Sequence, residues 1–410
     1  MDSAAPLRIA IIGGGISGLT LAAALKRIAI AQNIVLDIYE AAPQFEEIGA
    51  GINLWPRVWE ILKEIGLEDA LTKLLPEDAV TDSTPSLVFE IRKSDHPNGV
   101  PIMDMIMNGG ALRVHRADLQ KELLKNIPEY CHVHLSKKLI SCIETDERVN
   151  LKFQDGSTTS CDLLIAADGI KSTVRKLLIK QNELFSELES SLEPVWSGTV
   201  AYRGLVPVEM LEEEFPGHRA SKVPIMHLII YPVAQGRLIN VVVFSSSPEK
   251  EGTIYDGPPM LQVSQEEILS VCDGWEEEVL SLLRCIHAPT KWAVYAINPL
   301  SRWTAGRITL TGDAAHAMTP HLGAGAGQAI EDAYVLAALI ANNHKGREGI
   351  PRLLEVYNSV RQPIGNYVLE ISRIQGMHCQ FNAPGFEDVR EGDEVELMKL
   401  KSLIKTLSRN

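Results

Sequence analysis

The chain has 410 residues, of which 45% are hydrophobic and 22% charged, a composition of globular proteins with length for roughly two to three domains. Its formal net charge is −14, and acids bunch at Glu212-Glu213-Glu214 and Glu276-Glu277-Glu278. Such a surface repels phosphate backbones, so nucleic acid is excluded as a partner.

In chain order, Leu7 to Ile12 is a short apolar run with β-branched residues and reads as a buried parallel strand. It runs into Gly13-x-Gly15-x-x-Gly18, followed by an alanine-rich helix from Leu19 to Ile28. In that pattern Gly13 permits a tight turn, Gly15 lets backbone approach a pyrophosphate, and Gly18 lets the helix pack on the strand. A second strand, Ile34 to Tyr39, ends at Glu40, 22 residues beyond Gly18, where a carboxylate can accept from a ribose. A glycine-rich loop in an ordinary βαβ unit is the alternative. Strand, glycines, helix, strand and acid all fall in register, which favours the dinucleotide reading.

Gly49 to Pro56 leads into a helix from about Arg57 to Ile65, closed by Gly66. Residues 76 to 110 are rich in Pro, Asp, Ser and Gly, with one strand-like stretch, Ser86 to Arg92. Arg116 opens a helix that ends before Pro128, and short strands follow at Val133–Leu135, Leu139–Glu144 and Val149–Phe153. Asp162 to Arg175 reads as buried strand, tight turn and helix start, with Asp168 placed to cap the turn. From Ser197 to Ser247 three long alternating strands suggest an antiparallel sheet, one of them Ile225 to Tyr231 with His227, Ile229 and Tyr231 on one face. Residues 264 to 286 are helical. Gly306 to Asp313 is again strand into turn, and the glycine-rich stretch to Gly327 feeds a helix from Gln328 to Ala341. No Lys-Ser or Lys-Thr follows, so this is no triphosphate loop.

The six cysteines show no C-x-x-C spacing and the eleven histidines no H-E-x-x-H set, so neither metal nor disulfides are expected. The best apolar run, Tyr334 to Ala341, is far too short for an integral membrane segment, and Met1 to Pro6 is too short for a signal peptide. A cytoplasmic location is expected.

Gly13-x-Gly15-x-x-Gly18 with Glu40, His115-Arg116-x-Asp118-Leu119, Ala167-Asp168-Gly169 with Ser172 and Arg175, and Gly312-Asp313-Ala314-Ala315-His316 with Pro320 and Gly323 together resemble the single-component FAD-dependent aromatic hydroxylases. The likeness, to the salicylate hydroxylase-like, fungal-type branch, spans about residues 7 to 365. It implies an α/β fold: a Rossmann-like FAD-binding domain with a parallel sheet, an inserted β-rich substrate domain, and C-terminal helices. The boundaries expected are 1–80, 108–190 and 290–370 for the FAD domain, 81–107 and 191–289 for the substrate domain, and 371–410 for a helical tail.

The resemblance also implies residue roles. Gly13, Gly15, Gly18 and Glu40 hold the ADP half of FAD, with Ser17, Ala41 and Gly51 at the same site. Arg116 reaches the FAD, Asp313 bonds its ribityl chain, and the Asp168-Gly169 turn serves FAD and, in part, the nicotinamide cofactor. Pro320, Gly323, Ala324, Gly325 and Ala326 lie against the flavin ring, where backbone N–H groups and the helix dipole favour the anionic reduced form. NADPH or NADH acts as a transient co-substrate without a second nucleotide fold, consistent with a single G-x-G-x-x-G. The implied reaction is hydroxylation of a phenolic, hydroxybenzoate-like aromatic by O2 through a flavin C4a-hydroperoxide, with oxidative decarboxylation if the carboxylate sits on the attacked carbon.

Arg203 is the expected anion-binding residue near flavin and substrate, and His227 and Tyr231 the groups to bond the substrate oxygen or relay its proton, with Pro320 at the flavin edge. The alternative is that His227 and Tyr231 are satisfied core residues. His316 reads as structural, and His321 remains open between the two. A flavin epoxidase of an alkene or indole, and more remotely a non-catalytic flavin-binding regulatory protein, are the competing functions. Monomer and homodimer are both compatible with the sequence.

Overall fold

The computed structural model describes residues 5–29, 33–45, 51–76, 79–95, 97–181, 192–221, 224–226, 228–386, 389 and 392–407. Its organising element is a six-stranded sheet in the order Thr304–Ala305, Ile308–Leu310, Leu163–Ala166, Leu7–Ile12, Ile34–Tyr39, Cys131–His134. All neighbouring pairs are parallel except the first, which is antiparallel. The apolar runs seen in the sequence are buried on both faces, as parallel strands under helices require.

Three of these strands, Ile308–Leu310, Leu163–Ala166 and Leu7–Ile12, are direct neighbours running the same way. Their carboxyl ends therefore lie side by side, and each feeds one of the glycine-bearing turns. Backbone bonds lock the turns together: Ala167 N donates to Ile12 O at 2.8 Å, Thr311 N to Ala166 O at 2.9 Å, and Gly13 N to Tyr39 O at 2.9 Å. Segments three hundred residues apart thus meet at one edge, where open α/β sheets bind ligands. The helices Ile16–Ile28 and Gly325–Ala341 pack against each other above this edge.

A second sheet has eight strands in the order Met260–Gln262, Thr290–Ala296, Val195–Pro207, Leu238–Ser246, Ile229–Val233, Ile225–Met226, Pro85–Lys93, Val100–Asn108. One face is covered by the helices Val208–Glu214, Gln265–Val271 and Glu277–Arg284, with Tyr202, Val206, Ile230, Val241 and Val243 between. The opposite face carries Ala201, Arg203, Tyr231, Val242 and Phe244, and it looks toward the cofactor edge.

Several expected elements shift. Thr290–Ala296, assigned from sequence to the FAD domain, pairs with Val195–Pro207 in the eight-stranded sheet. The stretch Ile225 to Tyr231 is not one strand: Ile225–Met226 turns back, and Ile225 opposes Ile230. His227 lies outside the described residues, so its expected role has no structural counterpart here. The strand Val100–Asn108 was missed because Pro101, Asp104 and the flanking glycines mask its alternation. The tail is helical, but its first helix, Ile350–Cys379, begins well before residue 371, and Glu394–Leu407 adds a second.

Candidate functional site

The three glycines of the first turn behave as the pattern demands, each for a different reason. Gly13 has φ +104°, and a Cβ there would sit 2.2 Å from Ala167 O, so only glycine fits. A Cβ on Gly18 would lie 2.2 Å from Gly13 O, which is the price of close helix–strand contact. A Cβ on Gly15 would meet nothing within 4 Å. That position caps the helix Ile16–Ile28 and opens onto free space, the place where a phosphate reaches unpaired N–H groups.

Glu40 closes the far side of this cradle. Its carboxylate accepts from Gly14 N at 2.8 Å and from Ala42 N at 2.8 Å, so its orientation is fixed, with Ala41 exposed beside it. Ser17 Oγ pairs with Thr311 Oγ1 at 3.0 Å and ties the first turn to the third. Asp168 caps the helix Thr173–Gln181, accepting from Ser172 Oγ at 2.5 Å, Thr173 N at 2.7 Å and Val174 N at 3.2 Å. Burial raises its pKa, against the lowering effect of those bonds. The Asp168 carboxylate therefore holds the turn's shape, and the backbone behind Gly13 is what it contributes to the cradle. Arg175, fully buried, donates to Ala314 O at 3.1 Å and Ile170 O at 2.5 Å, joining the middle turn to the late one.

Asp313 starts the short helix Asp313–His316 and is exposed at the same edge. Pro320 begins a 3-10 turn, Gly323 adopts the left-handed conformation at φ +57°, and Ala324, Gly325 and Ala326 start the helix Gly325–Ala341. Asn53 approaches Gly323 from the strand Gly51–Leu54, and its Oδ1 is buried with no partner among the described residues. Arg116 is the exposed first residue of the helix Arg116–Lys125. An open glycine, an oriented acid and an orphaned acceptor beside a helix N-terminus fit a dinucleotide with a polar ring system. FAD is such a group.

The loop is braced from behind by a buried ionic network that sequence reading did not anticipate. Asp332, fully buried, accepts from His316 Nε2 at 2.7 Å, Gly312 N at 3.0 Å and Arg361 Nε at 2.7 Å. Arg361 also donates to Glu331 Oε2 at 2.7 Å and Gln328 Oε1 at 2.8 Å. Burial alone would raise the Asp332 carboxyl, but His316 and Arg361 hold it below the usual range. His316 thus has the structural role expected of it.

His321 lies between the loop and the substrate sheet. Its ring packs 4.8 Å from Phe244 and lies against Gly376, where a Cβ would be 2.3 Å from Cδ2. Burial pushes its pKa down to about 4, so it is neutral at neutral pH. Between the ordinary value of 6.5 and about 4 the unfolded chain binds a proton here that the folded chain does not, so stability is lost as pH falls through that window. The shift corresponds to roughly 3 kcal/mol. His321→Gln is expected to flatten the acid limb of a denaturant-stability profile, and an unchanged limb would refute this assignment.

Across from the loop, Arg203 is half-buried and lies over the Trp292 ring at 5.8 Å, with no acidic partner among the described residues. Burial lowers its pKa, Tyr231 counteracts this, and Arg116 adds to the lowering. Tyr231 is 5% exposed, and its ring occupies the space that a Cβ on Gly51 would need, 2.5 Å away. Burial raises the Tyr231 phenol, against the pull of Arg113 and Arg203, so it stays protonated.

Arg113 is a residue that sequence reading missed. It donates to Val88 O at 2.6 Å, and its guanidinium lies 5.0 Å from the Phe89 ring and 5.3 Å from the Tyr231 ring. Burial pushes its pKa down to about 10, which leaves it charged. No acid pairs with it among the described residues. Two half-buried cations near a buried phenol make surroundings that favour an anion.

Among the described residues no cluster of three or more His, Cys, Asp or Glu could hold a metal, and no helix is long and apolar enough to cross a membrane.

The model of the FAD binding domain family matches residues 7–372. The chain is 36% identical to a salicylate hydroxylase of Pseudomonas putida over 373 residues, covering 87% of this chain and 82% of that one. It is 35% identical to a 6-methylsalicylate 1-monooxygenase of Aspergillus terreus over 380 residues, covering 89% and 81%. The solved structure of a salicylate hydroxylase substrate complex superposes with a TM-score of 0.84 at 32% identity, over 100% of this chain and 96% of that one. The cradle and these likenesses agree: the chain belongs to the FAD-dependent aromatic hydroxylases and is a flavoprotein monooxygenase.

Proposed function

We propose that the substrate is an anionic phenol of the hydroxybenzoate class. The observation that carries this reading is the pair of half-buried arginines, Arg113 and Arg203, near Tyr231 and without an acidic partner among the described residues. A partly desolvated cation without an acidic partner is costly, and a bound carboxylate or phenolate relieves the cost. The names of the relatives, salicylate and 6-methylsalicylate oxygenases among them, point the same way.

FAD, once bound and reduced by NADH or NADPH, would supply the activation of O2, one atom of which goes to the ring and the other to water. The protein supplies the rest. Arg203 favours the phenolate form, which makes the ring electron-rich. Tyr231, protonated and buried, donates a hydrogen bond to a substrate oxygen. Phe244, Val242 and Ala201 give an apolar wall that keeps water away from the ring. His321 and the Pro320–Gly325 turn close the side nearest the cofactor cradle. Gly13, Gly15, Ser17, Gly18 and Glu40 would hold the ADP half of FAD, and Asp313 and Arg116 would bond its remaining polar chain. We assign the sheet Val195–Ala296 with its partners Pro85–Asn108 as the substrate domain.

The test is substrate-stimulated NADPH and NADH oxidation by the FAD-loaded protein. Hydroxybenzoates are expected to stimulate it at least about tenfold more, as kcat/KM, than neutral phenols of equal size, the worth of one charge-assisted hydrogen bond. Faster turnover of an uncharged alkene or indole than of every hydroxybenzoate would favour the epoxidase instead.

A further inference from the structure

The strand Gly51–Leu54 pairs antiparallel with Leu112–His115, and Asn53 stands directly opposite Arg113. Directly opposed residues project to one face, with Cβ atoms about 4.5–5.5 Å apart. The other face of this ribbon carries Leu54, Leu112 and Val114 and belongs to the core of the cofactor domain. The Asn53–Arg113 face is turned to the substrate sheet. A Cβ on Gly51, two residues from Asn53, would lie 2.5 Å from the Tyr231 ring, and the Arg113 guanidinium lies 5.3 Å from the same ring.

Asn53 Oδ1 and Arg113 Nε are buried atoms of half-buried residues, and neither has a hydrogen-bond partner among the described residues. A buried polar atom left unmade is costly, and a facing pair of them points to a bound group. One of the two is an acceptor and the other a donor. A carboxylate has only acceptors and would set its lone pairs against Oδ1. A hydroxyl satisfies both at once, its oxygen accepting from Nε and its hydrogen donated to Oδ1. Oδ1 has two lone pairs, so a bond to the cofactor beside Gly323 leaves one for the pocket.

Arg203 is on the other flank of Tyr231. In sheet order Leu238–Ser246 separates Ile229–Val233 from Val195–Pro207, which carries Arg203, whereas Arg113 meets Tyr231 beside Phe89 of Pro85–Lys93.

Resting on the hydroxylase reading above, we propose that Asn53 and Arg113 bind a second, un-ionised ring hydroxyl of the substrate, while its anionic oxygen goes to Arg203. The substrate class narrows to dihydroxybenzoates. Holding the ring at two oxygens on either flank of Tyr231 fixes which carbon is presented to the cofactor.

In the test, FAD-loaded protein is titrated with each dihydroxybenzoate isomer, its methyl ether at the second hydroxyl and its monohydroxy parent, and also with resorcinol and its monomethyl ether. Flavin absorbance gives the dissociation constants. The best dihydroxybenzoate is expected to bind wild type about tenfold more tightly than its ether or its parent. Asn53→Leu, which removes the acceptor at similar volume, is expected to bring the three within about twofold of one another. Arg113→Lys keeps the charge and loses Nε, is expected to shrink the ratio in the same way, and serves if Asn53→Leu does not retain FAD. No hydroxyl preference in wild type, as when a trapped water satisfies the pair, or a preference that survives both variants, would overturn the subsite alone. Wild type that binds no hydroxybenzoate yet prefers resorcinol to its ether would overturn the substrate class and support the subsite. Binding of none of these ligands would overturn both.

Discussion

Asp332→Ala is expected to cost about 3–5 kcal/mol of stability and to leave the protein largely without FAD. The residue is the one carboxylate shared by His316, the Gly312 amide and Arg361. Removing it strands three buried donors at once, each worth about 1–3 kcal/mol when unmade. The damage does not stop at stability. Gly312 belongs to the late turn, Arg361 to the helix Ile350–Cys379, and Asp332 to the helix whose first turn faces the flavin site. Loss of their common anchor loosens the loop against the strand ends. Asp332→Asn, which keeps shape and loses charge, is expected to be milder. Thermal unfolding and the FAD content of the purified protein are the measurements, and a fully yellow, wild-type-stable Asp332→Ala would show that the network is not the brace described.

Gly13→Ala and Gly15→Ala are expected to fail in opposite ways. At Gly13 the added methyl meets backbone, Ala167 O at 2.2 Å, in a conformation of φ +104° that alanine disfavours. The apo fold itself suffers, by about 1–3 kcal/mol of strain plus the clash. At Gly15 the methyl meets no protein atom, so the apo protein keeps its stability. The methyl instead takes the room a pyrophosphate needs, and FAD affinity falls about a hundredfold, near 3 kcal/mol. Paired measurements of apo stability and FAD dissociation constants separate the two. Equal loss of apo stability in both variants would mean that the open space at Gly15 is not a phosphate site.

The cradle was readable because its residues act locally. A glycine needed for a turn is needed whatever surrounds it, and strand, turn and helix sit together in sequence at Gly13, Asp168 and Gly312. What joined them was less visible. The parallel neighbour relation of Leu7–Ile12, Leu163–Ala166 and Ile308–Leu310 is a property of the fold, and only family resemblance hinted at it.

The substrate pocket was harder to read. Leu112-Arg113-Val114-His115 alternates, with Leu112 and Val114 buried, so Arg113 falls on the side a sequence reading gives to solvent. It is half-buried because the eight-stranded sheet, with Val88, Phe89 and Tyr231, lies against that side. Asn53 sits between the apolar Ile52 and Leu54, where a lone amide signals nothing until its partners are counted. Asp332 and Arg361 stand on different helices, and nothing in the sequence of either helix marks the other as its partner. The break after Met226 was hidden by a run whose alternation continues straight through it.

The central claim is that this chain uses FAD to place one atom of dioxygen on an anionic phenol. Supplying isotopically labelled dioxygen with NADPH and the best hydroxybenzoate, and weighing the product, tests it most directly. The account predicts one labelled oxygen per product molecule, retained whether or not carbon dioxide leaves. Product bearing only unlabelled oxygen from water, or reducing equivalents spent entirely on hydrogen peroxide with every phenol tried, would contradict it.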